Sequence, residues 1–87
     1  MEVMYLPKIA PTDFEAFRKF MKDEVGATFE EWTQRVRNRF AEYRDTNTIV
    51  ETYVNPDEFK RFCDGEGCAY NGMSLLSFAE FVGKTNA

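Results

Sequence analysis

The chain has 87 residues, of which 44% are hydrophobic and 16% aromatic, and its formal charge at pH 7 is -4. This length suits a single domain with a small core, and the aromatic content excludes a disordered chain. The acidic balance argues against nonspecific nucleic-acid binding, because such binding depends on basic charge that displaces counterions from phosphates.

The first residues, from Met1 to Tyr5, show neither the basic start nor the long apolar run of a signal peptide. No apolar stretch approaches the ~20 residues that a membrane-spanning helix needs. We therefore expect a cytoplasmic protein without membrane contact, in which the two cysteines are reduced thiols.

The first half of the chain predicts a strand followed by two helices. A strand-like run covers residues 2–6 and is expected to end at Pro7, and helices are expected at about 13–25 and 29–45. Each helix carries an apolar stripe at helical spacing that should face the core. The stripes consist of Phe14, Phe17, Met21 and Val25 on helix one, and of Phe29, Trp32, Val36, Phe40 and Tyr43 on helix two.

Two capping boxes support the starts of these helices. Thr12 with Glu15, and Thr28 with Glu31, have the spacing at which a hydroxyl accepts from first-turn amides while the carboxylate reaches back. We expect Thr12 and Thr28 to be the two N-cap residues.

The second half predicts the same succession. We expect a strand at 48–54, a short helix at about 56–64 that Asn55 caps, and a fourth helix from 73 or 74 to 83. The inward-facing residues should be Phe59, Phe62 and Cys63 on helix three, and Leu75, Phe78, Ala79 and Val82 on helix four.

The two halves therefore echo each other. The run Asp13–Phe17 has a counterpart in Glu58–Phe62, and each half reads strand-helix-helix. We predict a single α+β domain over residues 1–87, with four helices packed on a small two-stranded sheet and an approximate twofold axis relating the units. The alternative is an all-α four-helix bundle in which the first strand is merely extended.

Residues that could carry chemistry are few. Cys63 and Cys68 flank a glycine-rich turn, either as half of a metal or redox site or as ordinary buried thiols. Zinc sites take about four ligands, usually cysteine or histidine, and the chain has no histidine, so we expect ordinary thiols and no metal or cofactor. The missing histidine, the commonest general acid or base, also weakens an enzymatic interpretation, and no catalytic residue is assigned.

Five residues are candidates for an interaction surface. Leu76 and Phe81 leave helix four apolar almost all round, which is typical of either a central core helix or an interface, and Phe20 also lies off its stripe. Arg35 and Arg39 flank the stripe of helix two on one side. Because a two-stranded sheet is marginal and leaves open edges, we expect a homodimer formed by strand edges or by helix four.

These observations favour a small non-enzymatic interaction module or regulator that acts through aromatic and apolar surface. A second interpretation is a ligand-binding or thiol-dependent catalytic domain with a pocket among the Phe-rich helices, in which Cys63 or Cys68 is the nucleophile. A third is nucleic-acid binding through the Arg-rich helix two. The stretch from Val54 to Ala79 resembles small bacterial proteins in its general pattern, and this resemblance implies no site residues.

Overall fold

The computed structural model describes residues 2–21, 25–26 and 28–85. Its elements are β1 (Glu2–Lys8), a 3₁₀ turn (Pro11–Asp13), α1 (Phe14–Met21), α2 (Phe29–Ala41), β2 (Asn47–Tyr53), α3 (Pro56–Glu66) and α4 (Gly72–Thr85). Strand-helix-helix thus occurs twice among the described residues. The predicted α+β class is confirmed, and the all-α bundle is rejected because β1 is a paired strand.

The sheet consists of β1 and β2 paired in parallel, from Glu2 opposite Asn47 to Lys8 opposite Tyr53. Parallel strands need a long crossover connection, which α1 and α2 supply here. Each residue of β1 and its partner in β2 are as far apart in the sequence as Phe14 and Phe59, which are equivalent positions of the repeat. Equivalent positions of the two halves therefore lie side by side in the sheet.

The two faces of the sheet are covered by different helices. Side chains alternate along a strand, and Leu6 and Lys8 point to the face on which α2 lies, where they line a cavity together with Val36. Tyr5 points to the opposite face, and its ring lies so close to Gly83 of α4 that a Cβ there would overlap it. The second helix of each half thus covers one face of the sheet.

The core is one cluster that draws on both halves of the chain. The ring of Phe59 in α3 is fully buried, and its centroid lies 6.0 Å from that of Phe17 in α1 and 5.7 Å from that of Phe78 in α4. Most of the predicted stripe residues are buried, namely Phe14, Phe17, Met21, Val25, Trp32, Phe40, Phe59, Cys63, Leu75, Phe78 and Ala79. The hydrophobic periodicity therefore located the core correctly.

Local capping signals fix three helix ends. Thr28 Oγ1 accepts a hydrogen bond from the Glu31 N–H at 3.1 Å, which confirms the predicted cap of α2. Asn55 Oδ1 accepts two bonds from the first turn of α3, at 2.9 and 3.0 Å. Gly67 ends α3 with φ at 71°, a left-handed conformation that favours glycine.

The start of helix one differs from the prediction. Residues Pro11–Asp13 form a 3₁₀ turn, in which the Asp13 N–H donates to the Ala10 carbonyl at 2.8 Å, and α1 begins only at Phe14. Ala10 takes the cap position without a side-chain bond, so Thr12 lies inside the turn and was wrongly predicted as the N-cap. The predicted extension of this helix crosses residues 22–24, which lie outside the described residues.

Two further boundaries were wrong. β1 continues through Pro7 to Lys8. Among the described residues β1 pairs with β2 alone, and a proline in such an edge strand can turn its missing N–H away from the ladder. The second helix ends at Ala41 rather than 45, so Tyr43 falls in the following turn and is 38% exposed instead of lying in the core.

Candidate interaction surface

An open groove of about 620 Å³ runs between α3 and α4. We call it the α3–α4 groove, and it is lined by Glu58, Arg61, Phe62, Gly65, Glu66, Phe78, Phe81, Val82 and Thr85. Its floor and walls are aromatic and aliphatic, while the charged residues stand on its rim.

Phe81 is the exposed aromatic residue of this groove. Its ring centroid lies 5.5 Å from that of Phe62 and 6.5 Å from that of Phe78, yet 54% of the residue remains exposed. The two neighbouring rings therefore hold Phe81 from one side and leave its other side in water. An exposed large apolar side chain beside an apolar recess is typical of an interaction site.

The rim of the α3–α4 groove carries charges of both signs. Glu58, Arg61 and Glu66 are all exposed, and none of them forms an ion pair within the described part of the chain. These charges remain available to a molecule that docks over the groove.

Arg35, Arg39 and Leu76 come together at a second, smaller cleft of about 150 Å³ between α2 and α4. Arg39 Nη2 lies 3.9 Å from Met73 Sδ, so the arginine side chain reaches from α2 to α4. Leu76 is half-buried and also lines a cavity with Phe40 of α2. This cleft therefore joins three of the five predicted interaction residues, but Leu76 mainly packs the two helices together.

Phe20 lies elsewhere, inside an aromatic cluster that joins α1 to α3. Its ring stacks on Phe59 at 6.2 Å with an interplanar angle of 26° and meets Tyr70 edge-on at 5.3 Å. Lys60 Nζ lies 4.6 Å from its centroid, which adds a cation–π contact. The structure thus separates Phe20 from Phe81 and occupies it with intramolecular contacts.

Cys63 is a poor nucleophile at neutral pH. Cys63 is fully buried, and burial, with a contribution from the neighbouring Cys68 thiol, raises the pKa of Cys63 to about 12. Because the thiolate is the nucleophile, a protonated Cys63 weighs against thiol-dependent catalysis through this residue. Among the described residues, no three cysteine or carboxylate side chains converge as metal ligands would.

The described helices include none with both the length and the hydropathy to cross a bilayer.

Sequence reasoning missed part of the α3–α4 groove, because it assigned Phe62 and Val82 to the core. Both are half-buried and form groove walls. Phe62 precedes the fully buried Cys63 by one position, or about 100° of helical rotation, so it stands on the flank of the buried stripe. That angular offset is the sequence signal that could have placed it at the margin of the core.

Comparison of the chain with protein-family models, with curated proteins and with solved structures finds no match. The geometry described above is therefore the basis on which the site is interpreted.

Proposed function

We propose that this chain is a small non-enzymatic interaction module that binds a second copy of itself through the α3–α4 groove. The observation that carries the proposal is the half-exposed ring of Phe81 beside an apolar recess of about 620 Å³. A cytoplasmic location is part of the proposal, since both cysteines are free thiols.

The shape of this surface favours a second copy as the occupant. Phe81 projects from the same face that contains the recess, and a twofold dimer uses one surface patch twice. Rotation about a twofold axis lets the ring of each copy enter the groove of the other. Burial of the exposed part of two such rings supplies the apolar core that an interface requires.

The rim charges favour the same occupant. Glu58, Arg61 and Glu66 all lie on α3, and a twofold axis beside this helix sets its two copies antiparallel, so that Arg61 of one copy can face Glu58 or Glu66 of the other. A partner with charge of a single sign would leave one of these groups without a complement. A rim of mixed sign is thus self-complementary and specifies orientation more than it adds affinity.

The size of the molecule sets the expected strength of association. A standard interface buries about 800 Å² per partner, which is roughly a seventh of the 5660 Å² surface of this chain. The groove and its rim form the centre of such an area on a small domain. We therefore expect association in about the micromolar range rather than an obligate dimer.

Two other functions fit this surface less well. A drug-sized ligand is usually 70–90% or more enclosed by its pocket, whereas the α3–α4 groove is open along its length, and the protonated Cys63 offers no nucleophile there. For nucleic acid, Arg35 and Arg39 face the cleft towards α4 while Arg37 stands at the sheet, so the arginines form no single surface.

The proposal is tested by the molar mass in solution. We expect light scattering to give a mass that rises from 10.2 kDa towards twice that value as the concentration increases. Phe81→Glu should keep the chain monomeric without lowering its melting temperature. Met73→Glu is the matched control, because Met73 is an equally apolar residue of α4 that is 67% exposed and lies outside the groove.

Three outcomes contradict the proposal in different ways. A mass of 10.2 kDa at every concentration eliminates the second copy as occupant. Dissociation by Val50→Lys but not by Phe81→Glu places the contact at the exposed side of β2 instead. A Phe81→Glu variant that unfolds shows that the ring belongs to the core.

A further inference from the structure

A cavity between the sheet and α2 has the chemistry of a small-ligand site. We call it the α2 pocket; its volume is about 270 Å³, and apolar side chains such as Leu6, Ile9 and Trp32 line it while Lys8 and Arg37 stand at its mouth. Ligand pockets are typically apolar cavities of about 300–1,000 Å³ with a few placed polar groups. The volume of the α2 pocket lies just below that range.

The two helices that cover the sheet present side chains of different size to it. Each half lays its second helix on one face of the sheet, and α4 carries the small residues Ala79 and Gly83 where α2 carries Thr33 and Arg37 at the cavity. The small residues let α4 pack closely, with Ala79 fully buried and Gly83 against the ring of Tyr5. On the other face, the longer side chains of Thr33 and Arg37 line the α2 pocket between α2 and the sheet.

The mouth of the α2 pocket is cationic, although the chain as a whole is acidic. Lys8 Nζ lies 3.1 Å from Glu51 Oε2 and 5.3 Å from the centroid of the Tyr53 ring. The hydrogen bond to Glu51 raises the pKa of Lys8, and the nearby positive charge of Arg37 opposes that rise. Two cations and one carboxylate thus leave an excess of one positive charge.

Arg37 is the exposed cation of this group and the one without an ion pair among the described residues. Within the part of the chain that the structure describes, its guanidinium forms no ion pair or hydrogen bond, whereas Lys8 is held by Glu51. A guanidinium presents a planar pair of donors that matches a carboxylate. A doubly charged phosphate would exceed the single excess charge and approach Glu51, so a monoanion fits better.

We propose that the α2 pocket binds a small amphiphilic carboxylate, with its hydrocarbon body between Leu6 and Trp32 and its carboxylate on Arg37. The pocket volume suits about a dozen non-hydrogen atoms, as in a phenylalkanoate or a medium-chain fatty acid. A ligand of this size is expected to bind with a Kd on the order of 1 mM or somewhat below. This site does not depend on the α3–α4 groove.

The fluorescence of Trp32 tests the proposal directly, because Trp32 lines the pocket and is the single tryptophan of the chain. The probe is 4-phenylbutyrate, and 4-phenylbutan-1-ol is the neutral compound of the same shape. We expect a saturable change with the carboxylate and binding about tenfold weaker with the alcohol. Arg37→Gln should weaken carboxylate binding by about tenfold and leave alcohol binding unchanged. Arg44 is exposed and lies away from the pocket, so the control substitution Arg44→Gln should change neither.

Amide chemical shifts locate the bound probe independently of fluorescence. The largest changes should fall at Leu6, Ile9 and Val36, around the pocket. The proposal is overturned if the response fails to saturate below about 10 mM, if the alcohol binds as tightly as the carboxylate, or if a folded Arg37→Gln variant binds normally. It is equally overturned if the shifts cluster at Phe62 and Phe81, since the probe would then occupy the α3–α4 groove.

Discussion

Cys63 and Cys68 occupy positions that the end of a helix dictates. Gly67 adopts the left-handed conformation after α3, and the N–H groups of Gly67 and Cys68 both donate to the Cys63 carbonyl, the latter at 3.0 Å, which forms a glycine C-cap motif. In such a cap, the side chain of the residue after the glycine often packs on the side chain of the residue whose carbonyl accepts its N–H. The two thiols therefore meet as small apolar groups, which explains their spacing without a chemical role.

The buried thiol of Cys63 should make stability fall at alkaline pH. Burial raises the pKa of Cys63 in the folded state to about 12 from an ordinary value of 9.0. Between these values the unfolded chain loses a proton that the folded chain keeps, so stability is full below pH 9.0 and declines above it, with a limiting slope of about 1.4 kcal/mol per pH unit.

Urea denaturation of wild type and Cys63→Ala, with reductant present, measures this effect. The advantage of the wild type over the variant should shrink as the pH rises from 9 to about 11, because only the wild type must keep a thiol protonated. Other groups titrate in the same range, but they are common to both proteins. Cys68→Ala should retain the decline, and parallel pH profiles for all three proteins would contradict the assigned burial.

At the scale of single residues, helical spacing predicts burial well in the middle of a stripe and poorly at its margins. Trp32 lies mid-stripe and is 4% exposed, as predicted. Phe62 lies about 100° from the buried Cys63 and Phe81 lies about 60° from the buried Phe78, at angles where exposure depends on which neighbouring helix covers that side. The packing of α3 against α4 depends on contacts between distant residues, and it places Phe62 and Phe81 at the wall and the rim of a groove.

At the scale of elements, the close contact between α4 and β1 depends on glycine. Gly83 lies in the last turns of α4, where alanine would normally stabilise a helix by about 1 kcal/mol. Here an added Cβ would overlap the ring of Tyr5. Steric conflict with a ring held between strand and helix should outweigh helix propensity.

We therefore expect Gly83→Ala to lower the free energy of unfolding by about 1–2 kcal/mol, within the usual cost of overpacking. Gly65→Ala is the matched control, because Gly65 is also helical but has open space around its Cβ, and alanine there should stabilise α3 by about 0.5–1 kcal/mol. Chemical denaturation measures both. Tyr5→Leu combined with Gly83→Ala should recover part of the loss, and additivity of the two changes would contradict a direct contact.

Element boundaries were predictable where a local signal decides them. Thr28 and Asn55 cap their helices through bonds within three residues, so the sequence alone specifies both ends. Pro7 stays inside β1 because, in the described part of the chain, that strand has a partner on one side only, and the sequence near Pro7 does not contain that information. The α2 pocket was missed for the same reason, since it results from how far α2 stands from the sheet.

At the scale of the whole molecule, the repeat sets the strand register but does not make two independent halves. The only described partner of β1 is β2, and the two strands come from different halves. The ring of Phe59 from the second half packs on Phe17 and Phe20 from the first. The sequence revealed the repetition, whereas the parallel pairing and the shared core arise from contacts between distant residues.

Neither half should therefore fold alone. Fragments 1–46 and 47–87 separate the two halves at the end of the exposed turn that precedes β2. Each fragment therefore keeps all the core side chains of its own half. Each fragment would expose one face of the shared aromatic core and an unpaired strand, and a single strand with two helices buries too little apolar surface to offset its conformational entropy. We expect each fragment to lack a cooperative thermal transition in circular dichroism and to show collapsed amide dispersion, and an equimolar mixture to recover the spectrum of the intact chain. A fragment that melts cooperatively by itself would show that one strand-helix-helix unit is a complete folding unit, and the shared core would then be an interface between two domains.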